Sequence, residues 1–188
     1  MEVRRTYKYR LYRSDKRDKH LHRQINVAGT VWNHALKLQK RYYHLTGEYV
    51  ALRTLKAHIA KLRMKTLRFA FWQVLGSQAV QDMLERLDNG YQRFFKHLAK
   101  RPPKFKKVRQ SYSFTLKQAG WKRLDGNKIQ ISGRLYKFVK HRSMKGDIKT
   151  LTVKRDAAQR LWLCFSVSEQ VDTPKETTSS EVAGFDFG

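Results

Sequence analysis

At Pro102-Pro103 the chain changes its period. Ahead of the pair, apolar side chains recur at alternating steps of four and three; after it, they alternate with polar ones. Proline has no backbone N–H to donate and clashes with the turn before it, so a helix stops at this point. Helical periodicity before the prolines and strand periodicity after them predict an α+β fold.

The first segment, "RRTYKYRLYR", is the exception: Tyr7, Tyr9 and Leu11 share one face, and Lys8, Arg10 and Tyr12 the other, which predicts a strand. Ser14 or Asp15 then suits a helix start. Leu21, Ile25, Ala28, Trp32 and Ala35 form the stripe of an amphipathic helix running to about Leu45, with Gly47 as its stop. A second stripe is Leu52, Leu55, Ile59 and Leu62; a third, with Ser77 as cap, is Val80, Leu84, Leu87, Tyr91, Phe94 and Leu98. Residues 66–75, "TLRFAFWQVL", are ambiguous by periodicity.

Beyond the prolines, "YSFTL", "NKIQI" after an Asp125-Gly126-Asn127 turn, and "RLYKFVK" read as strands, and "TLTVKR" and "RLWLCFSVS" as a hairpin around "DAAQ". Short antiparallel strands of this kind predict a small barrel or sandwich. The N-terminal strand is expected to join it, making the helices an insertion. Residues 1–13 are then the first strand of a β-domain, 14–101 the helical insertion and 102–171 the remaining strands. The polar "VDTPKETTSS" makes 172–180 a linker, and "EVAGFDFG", 181–188, starts a further element.

The charge is as one-sided as the period is divided. Against 15 Asp+Glu stand 41 Lys+Arg, a formal net charge of +26. No acid falls between Glu48 and Asp82 or between Asp88 and Asp125. Such self-repulsion calls for a polyanion, and nucleic acid is the expected partner. No apolar run is long enough to span a membrane, and the basic N-terminus lacks the apolar region of a signal peptide, so a cytoplasmic, nucleoid-associated location is expected. One cysteine, Cys164, provides neither an internal disulfide nor a cysteine-built zinc site. The seven histidines show no metal-ligand spacing, and there is no glycine-rich phosphate loop.

The segment "RPPKFKKVRQSYSF", 101–114, concentrates the signal. Lysine and arginine release counterions from phosphates, so Arg4, Arg5, Lys8, Arg10, Lys104, Lys106, Lys107 and Arg109 are candidates for the nucleic-acid backbone. Phe105, Tyr112 and Phe114 are candidates for stacking on unpaired bases; the same rings also read as ordinary core. The last chemical signal is Asp186 in "VAGFDFG", an acid embedded in an apolar strand, which is costly unless it binds a cation.

In order, "YKYRLY", "VWNHAL", "SQAVQDMLERLDNGYQRFFKHL", "PPKFKK", "SYSF", "LDGNKIQI", "LWLCFSV" and "GFDFG" resemble the TnpB (OrfB) family encoded by bacterial insertion sequences. The serine-glutamine helix with paired aromatics, followed by proline and Phe-Lys-Lys, is the most specific part. The resemblance implies an RNA-guided DNA endonuclease with a wedge-like β-barrel, a helical recognition insertion that begins like a helix-turn-helix, and a RuvC-type (RNase H-like) nuclease domain with a zinc ribbon. It implies guide RNA and double-stranded or unwound DNA as partners. It makes Ser77, Gln81 and Thr115 candidates for contacting DNA beside the target; Gln81 reads equally as an exposed helix position. It matches Asp186 to the first aspartate that binds catalytic Mg2+. The family's later glutamate, second aspartate and four-cysteine ribbon have no counterpart in this sequence, and "DAAQ" replaces a glycine-containing turn. A truncated member that binds nucleic acid without cleaving it alone is therefore expected. The alternatives are one half of a split metal-dependent nuclease and a basic RNA-binding scaffold.

Overall fold

The computed structural model describes residues 1–108 and 111–171. The first strand, β1 (Glu2–Arg10), buries Tyr7 and Tyr9 on one face, as its alternation predicts. Helix α1 (Asp15–Thr46) ends where Gly47 takes a φ of 72° and donates its N–H to the Tyr43 carbonyl. Its start differs in detail from expectation. The Ser14 side chain makes no cap; instead the Ser14 N–H donates to Asp18 Oδ2 at 3.0 Å. Helix α2 (Leu52–Lys65) follows, burying Leu55 and Ile59. The ambiguous stretch folds as a 3-10 segment, Leu67–Val74, around the buried Trp72. Helix α3 (Ser77–Phe95) opens after Gly76, so Ser77 is its first helical residue rather than its cap. It also stops short of Leu98, which remains 66% exposed.

The strands after the prolines form two antiparallel sheets. In the first, β2 (Ser113–Leu116), β6 (Asp147–Arg155) and β7 (Leu161–Gln170) join β1 in the order β1-β7-β6-β2. The second contains β3 (Trp121–Arg123), β4 (Lys128–Ile131) and β5 (Arg134–Lys137). The N-terminal strand thus pairs with β7, from Glu2↔Gln170 to Arg10↔Trp162, and the helices occupy the chain between β1 and β2. A single bridge, Leu11↔Phe138, links the sheets, reinforced by Tyr12 N–H to the Lys137 carbonyl (2.9 Å) and Val139 N–H to that of Arg10 (2.8 Å). Among the described residues no ladder joins β2 to β3, so the expected barrel is not a closed one. Strand β3 has no sequence signal of its own. Three residues are too few to show a period, and pairing of Trp121 with Ile131 fixes it from outside.

Between the sheets, Tyr9, Phe138 and Phe165 pack with ring centroids 5.3 to 6.0 Å apart. This core is continuous with that of the helices, where Leu21, Ile25, Leu36 and Leu84 are fully buried or nearly so. Gln24 ties the two parts together, donating from Nε2 to the Val74 carbonyl (2.8 Å) and to Ser132 Oγ (2.9 Å). The expected linker and the Asp186 strand lie outside the described residues.

Candidate nucleic-acid interface

Residues 102–108 and 111–112 form a strap, and helices α1 and α3 give it a bed. Gly90 on α3 lets Pro103 approach; a Cβ there would lie 2.9 Å from Pro103 Cγ. Gly29, midway along α1, does the same further on, where a Cβ would lie 2.2 Å from Ser111 Oγ and 3.4 Å from Val108 Cα. Between these points the strap is held by side chains of α1. Trp32 donates Nε1–H to the Lys104 carbonyl (3.0 Å). Asn33 pairs with Lys106 in both directions, Nδ2 donating to its carbonyl (2.7 Å) and Oδ1 accepting its N–H (2.8 Å). At the far end Arg155, 4% exposed, donates from Nη2 to the Ser111 carbonyl (2.8 Å) and to Asn26 Oδ1 (3.0 Å). These bonds replace the ladder that an extended segment would otherwise need.

What the strap displays follows from that anchoring. Lys104, Phe105, Lys106 and Lys107 are exposed. The Phe105 ring has Lys40 Nζ 5.0 Å from its centroid. Lys106 is exposed along its chain, but its ammonium sits 3.7 Å over the Trp32 ring. That burial, and secondarily Arg86, pulls its pKa below the ordinary lysine value. Tyr112 is 57% exposed, whereas Phe114, at 3%, faces the core and is not presented for stacking. Arg109 lies outside the described residues.

A cleft of about 380 Å3 lies between α1, α3 and the strap; Lys106, Lys107, Tyr112, Thr115 and Arg86 line it. Thr115 is 6% exposed. Its hydroxyl accepts from Arg86 Nη2 (2.8 Å) and shares a hydrogen bond with Thr152 Oγ1 (2.9 Å). Arg86 also pairs with Asp82 (3.0 Å), yet burial pushes the Asp82 carboxyl up against that attraction. Ser77 and Gln81 are exposed one turn apart on α3, outside the lining of this cleft. Arg86 has no sequence signal that separates it from other surface arginines; it is found only through its bond to Thr115.

The second basic surface is the outer face of the first sheet. Arg4, Lys8 and Arg10 are exposed on β1. Arg5 is exposed too but pairs with Glu169 at 3.2 Å. The ladder places Arg10 and Lys154 on either side of Trp162, and Lys8 Nζ lies 4.2 Å over that ring. Trp162 in turn donates Nε1–H to Asp156 Oδ2 (3.0 Å). The sequence offered a signal for Lys154 and Trp162: both alternate with the inward Val153 and Leu163, once the hairpin register is known.

Ion pairs among the described residues engage Arg5, Arg13, Lys56, Arg86, Lys117, Lys149 and Arg160, a minority of the chain's 41 Lys+Arg. Among those residues, no three His, Cys, Asp or Glu side chains gather as a metal site, and Asp186 lies outside them. No helix of the described residues is long and apolar enough to cross a membrane.

Residues 1–48 match the sequence profile of the OrfB helix-turn-helix domain of IS605-type elements. A protein of Streptomyces pristinaespiralis described as "Putative RNA-guided DNA endonuclease" is 27% identical over 190 residues, covering 100% of this chain and 46% of its own length. Both matches agree with the resemblance of this chain to the TnpB (OrfB) family. The chain spans about half the length of the curated relative that it matches. The matched N-terminal residues comprise β1 and α1, and α1 is unbroken; the first turn between two helices comes after it, at residues 47–51.

Proposed function

We propose that this chain is the nucleic-acid-binding part of a TnpB-like RNA-guided DNA endonuclease, gripping guide RNA and target DNA. The observation that carries the reading is the pairing of the family resemblance with a strongly basic exterior. Most of the chain's cations have no carboxylate partner among the described residues, and the fold holds many of them in fixed places. A phosphodiester chain would supply the missing counter-charge.

In this reading the two linked sheets correspond to the wedge-like β-domain, as an open rather than a closed barrel, residues 14–101 are the recognition insertion, and 172–180 lead to a RuvC-like segment at 181–188. The outer face of β1, through Arg4, Lys8 and Arg10, with Arg5 exposed on the strand's other face, and the strap, through Lys104, Lys106, Lys107 and Arg109, follow the phosphate backbone. Ser77 and Gln81 contact DNA beside the target. A glutamine amide both donates and accepts, which suits a base edge. Thr115 joins them only if its hydroxyl exchanges Arg86 or Thr152 for a base. Phe105 and Tyr112, not the buried Phe114, are the rings presented for stacking.

Asp186 would be the first Mg2+ ligand of the nuclease part. Metal-assisted cleavage needs several carboxylates close together, and the described residues do not gather such a set to complete it. The reading therefore assigns binding to the described residues and derives no cleavage step from them.

The test is binding to RNA from the 3′ end of the chain's own element against an unrelated RNA of equal length, at about 150 mM salt. Preference for the element's RNA is expected. Equal affinity for both would leave only a non-specific basic scaffold.

A further inference from the structure

Where the C-terminal ends of α1 and α3 meet, the helices leave an aromatic cleft of about 230 Å3, lined by Tyr43, Tyr49, Tyr91, Phe94, Phe95 and Pro102, with Gln39 and Lys40 at its side. The rings are ordered relative to one another. Tyr91 and Phe95 stack with centroids 5.9 Å apart, and Tyr49 meets Phe95 edge-on at 5.6 Å. Tyr49 is fixed by donating its hydroxyl to Asp88 Oδ1 at 3.0 Å. Two members remain open to solvent, Phe95 at 45% and Tyr43 at 58%. Such a cluster of large rings at a helix end, partly covered, is costly to leave in water.

The charge around it identifies the occupant. Lys40 lines the cleft, and across Pro102 a second cleft is lined by Arg93 and Arg101. No carboxylate lines either one. An apolar protein segment gains nothing from such a rim, whereas a polynucleotide brings both a planar apolar base and a phosphate. The volume is below that of pockets for drug-sized ligands and suits one ring system.

We propose that this cleft receives one unpaired nucleobase, stacked on Phe95 and Tyr43, with its flanking phosphates on Lys40, Arg93 and Arg101. The inference rests on the nucleic-acid reading above and deepens it: this end of the helical insertion selects single-stranded or flipped-out nucleotides over paired ones.

The test uses the full chain and oligonucleotides carrying 2-aminopurine, as single-stranded RNA, as single-stranded DNA and as a duplex of equal length. Quenching on binding is expected for a single strand and not for the duplex; the RNA and DNA arms show which polymer supplies the base. Phe95→Ala and Tyr43→Ala should each weaken single-strand binding about 5- to 150-fold. The slope of affinity against salt should not change, because no cation is removed. Phe95→Tyr and Tyr43→Phe should restore binding, and melting temperatures confirm that each variant is folded. If the alanine variants bind single strands as tightly as the unaltered chain, and with the same salt dependence, the cleft proposal is overturned while the broader reading stands. If light scattering shows a dimer that Phe95→Ala dissociates with no loss of affinity, a second copy fills the cleft and the proposal is likewise overturned. If the unaltered chain binds no oligonucleotide at low salt, the nucleic-acid reading itself fails.

Discussion

The strap and the outer face of β1 present the same kind of charge by opposite means. On β1, a strand ladder running from Glu2↔Gln170 to Arg10↔Trp162 fixes every cation, so no single side chain is responsible for the arrangement. The strap has no such ladder. Its path depends on Trp32, Asn33 and Arg155 bonding its backbone, and on two glycines that let it lie close to the helices. A charge on a ladder is lost only by removing that charge; a charge on the strap is lost whenever an anchor beneath it fails.

The comparison predicts its largest effect at Trp32. Trp32→Ala removes a buried ring, the hydrogen bond to Lys104 and the seat of the Lys106 ammonium. A loss of about 3–5 kcal/mol is expected in chemical denaturation, together with new proteolytic cleavage within 102–108. Cleavage no faster than in the unaltered chain would show that the strap has other, sufficient anchors.

A smaller effect is expected at the glycines. Gly29→Ala brings a methyl group against Ser111 and the Val108 backbone. Ser111 can turn its hydroxyl away, but its Cβ and Val108 Cα remain within 3.4 Å. Destabilisation of about 1–3 kcal/mol is predicted. Gly126→Ala, in a turn with nothing near its Cβ, isolates the cost of a positive φ alone and gives the baseline.

On β1 the prediction is electrostatic. Lys8→Ala and Arg10→Ala should leave the melting temperature within about a degree or two of the unaltered chain, as expected for exposed positions. Each should lower the salt slope of nucleic-acid binding by about 1. A loss of stability comparable to that of Trp32→Ala would erase the distinction between the two regions.

The smallest expected effect is a pH response in the β6–β7 turn. Hydrogen bonds from Trp162 first, and then Arg160, hold the Asp156 carboxyl down at about 2. Because this folded-state value lies below the ordinary value of about 3.9, the stabilisation is complete above that value and fades as pH falls toward about 2. Thermal melts of Asp156→Asn and the unaltered chain should therefore differ above about pH 4 and converge in stronger acid. A gap that is constant across this range would assign the difference to packing instead.

The same contrast explains what the sequence made legible. Regular elements carry their own period and punctuation. The α1 stripe and Gly47 located a 32-residue helix nearly to its ends, and the alternation on both sides of "DAAQ" located the β6–β7 hairpin. Features that exist only between elements left no such trace. Gly29 and Gly90 look like ordinary helix residues until the strap is seen against them. Phe114 has the composition of a stacking ring but alternates into the core, and Thr115 is buried because Arg86 and Thr152 cover its hydroxyl. Barrel closure depends on an edge between β2 and β3 that no local pattern encodes.

Fixed cations without carboxylate partners on this fold are proposed to grip phosphodiester chains. The most direct measurement is affinity for RNA from the chain's own element as a function of salt. Engagement of six to ten phosphates predicts a fall of roughly 10³- to 10⁵-fold between about 50 and 200 mM. Affinity that hardly changes over that range, or no binding at the lower salt, would contradict it.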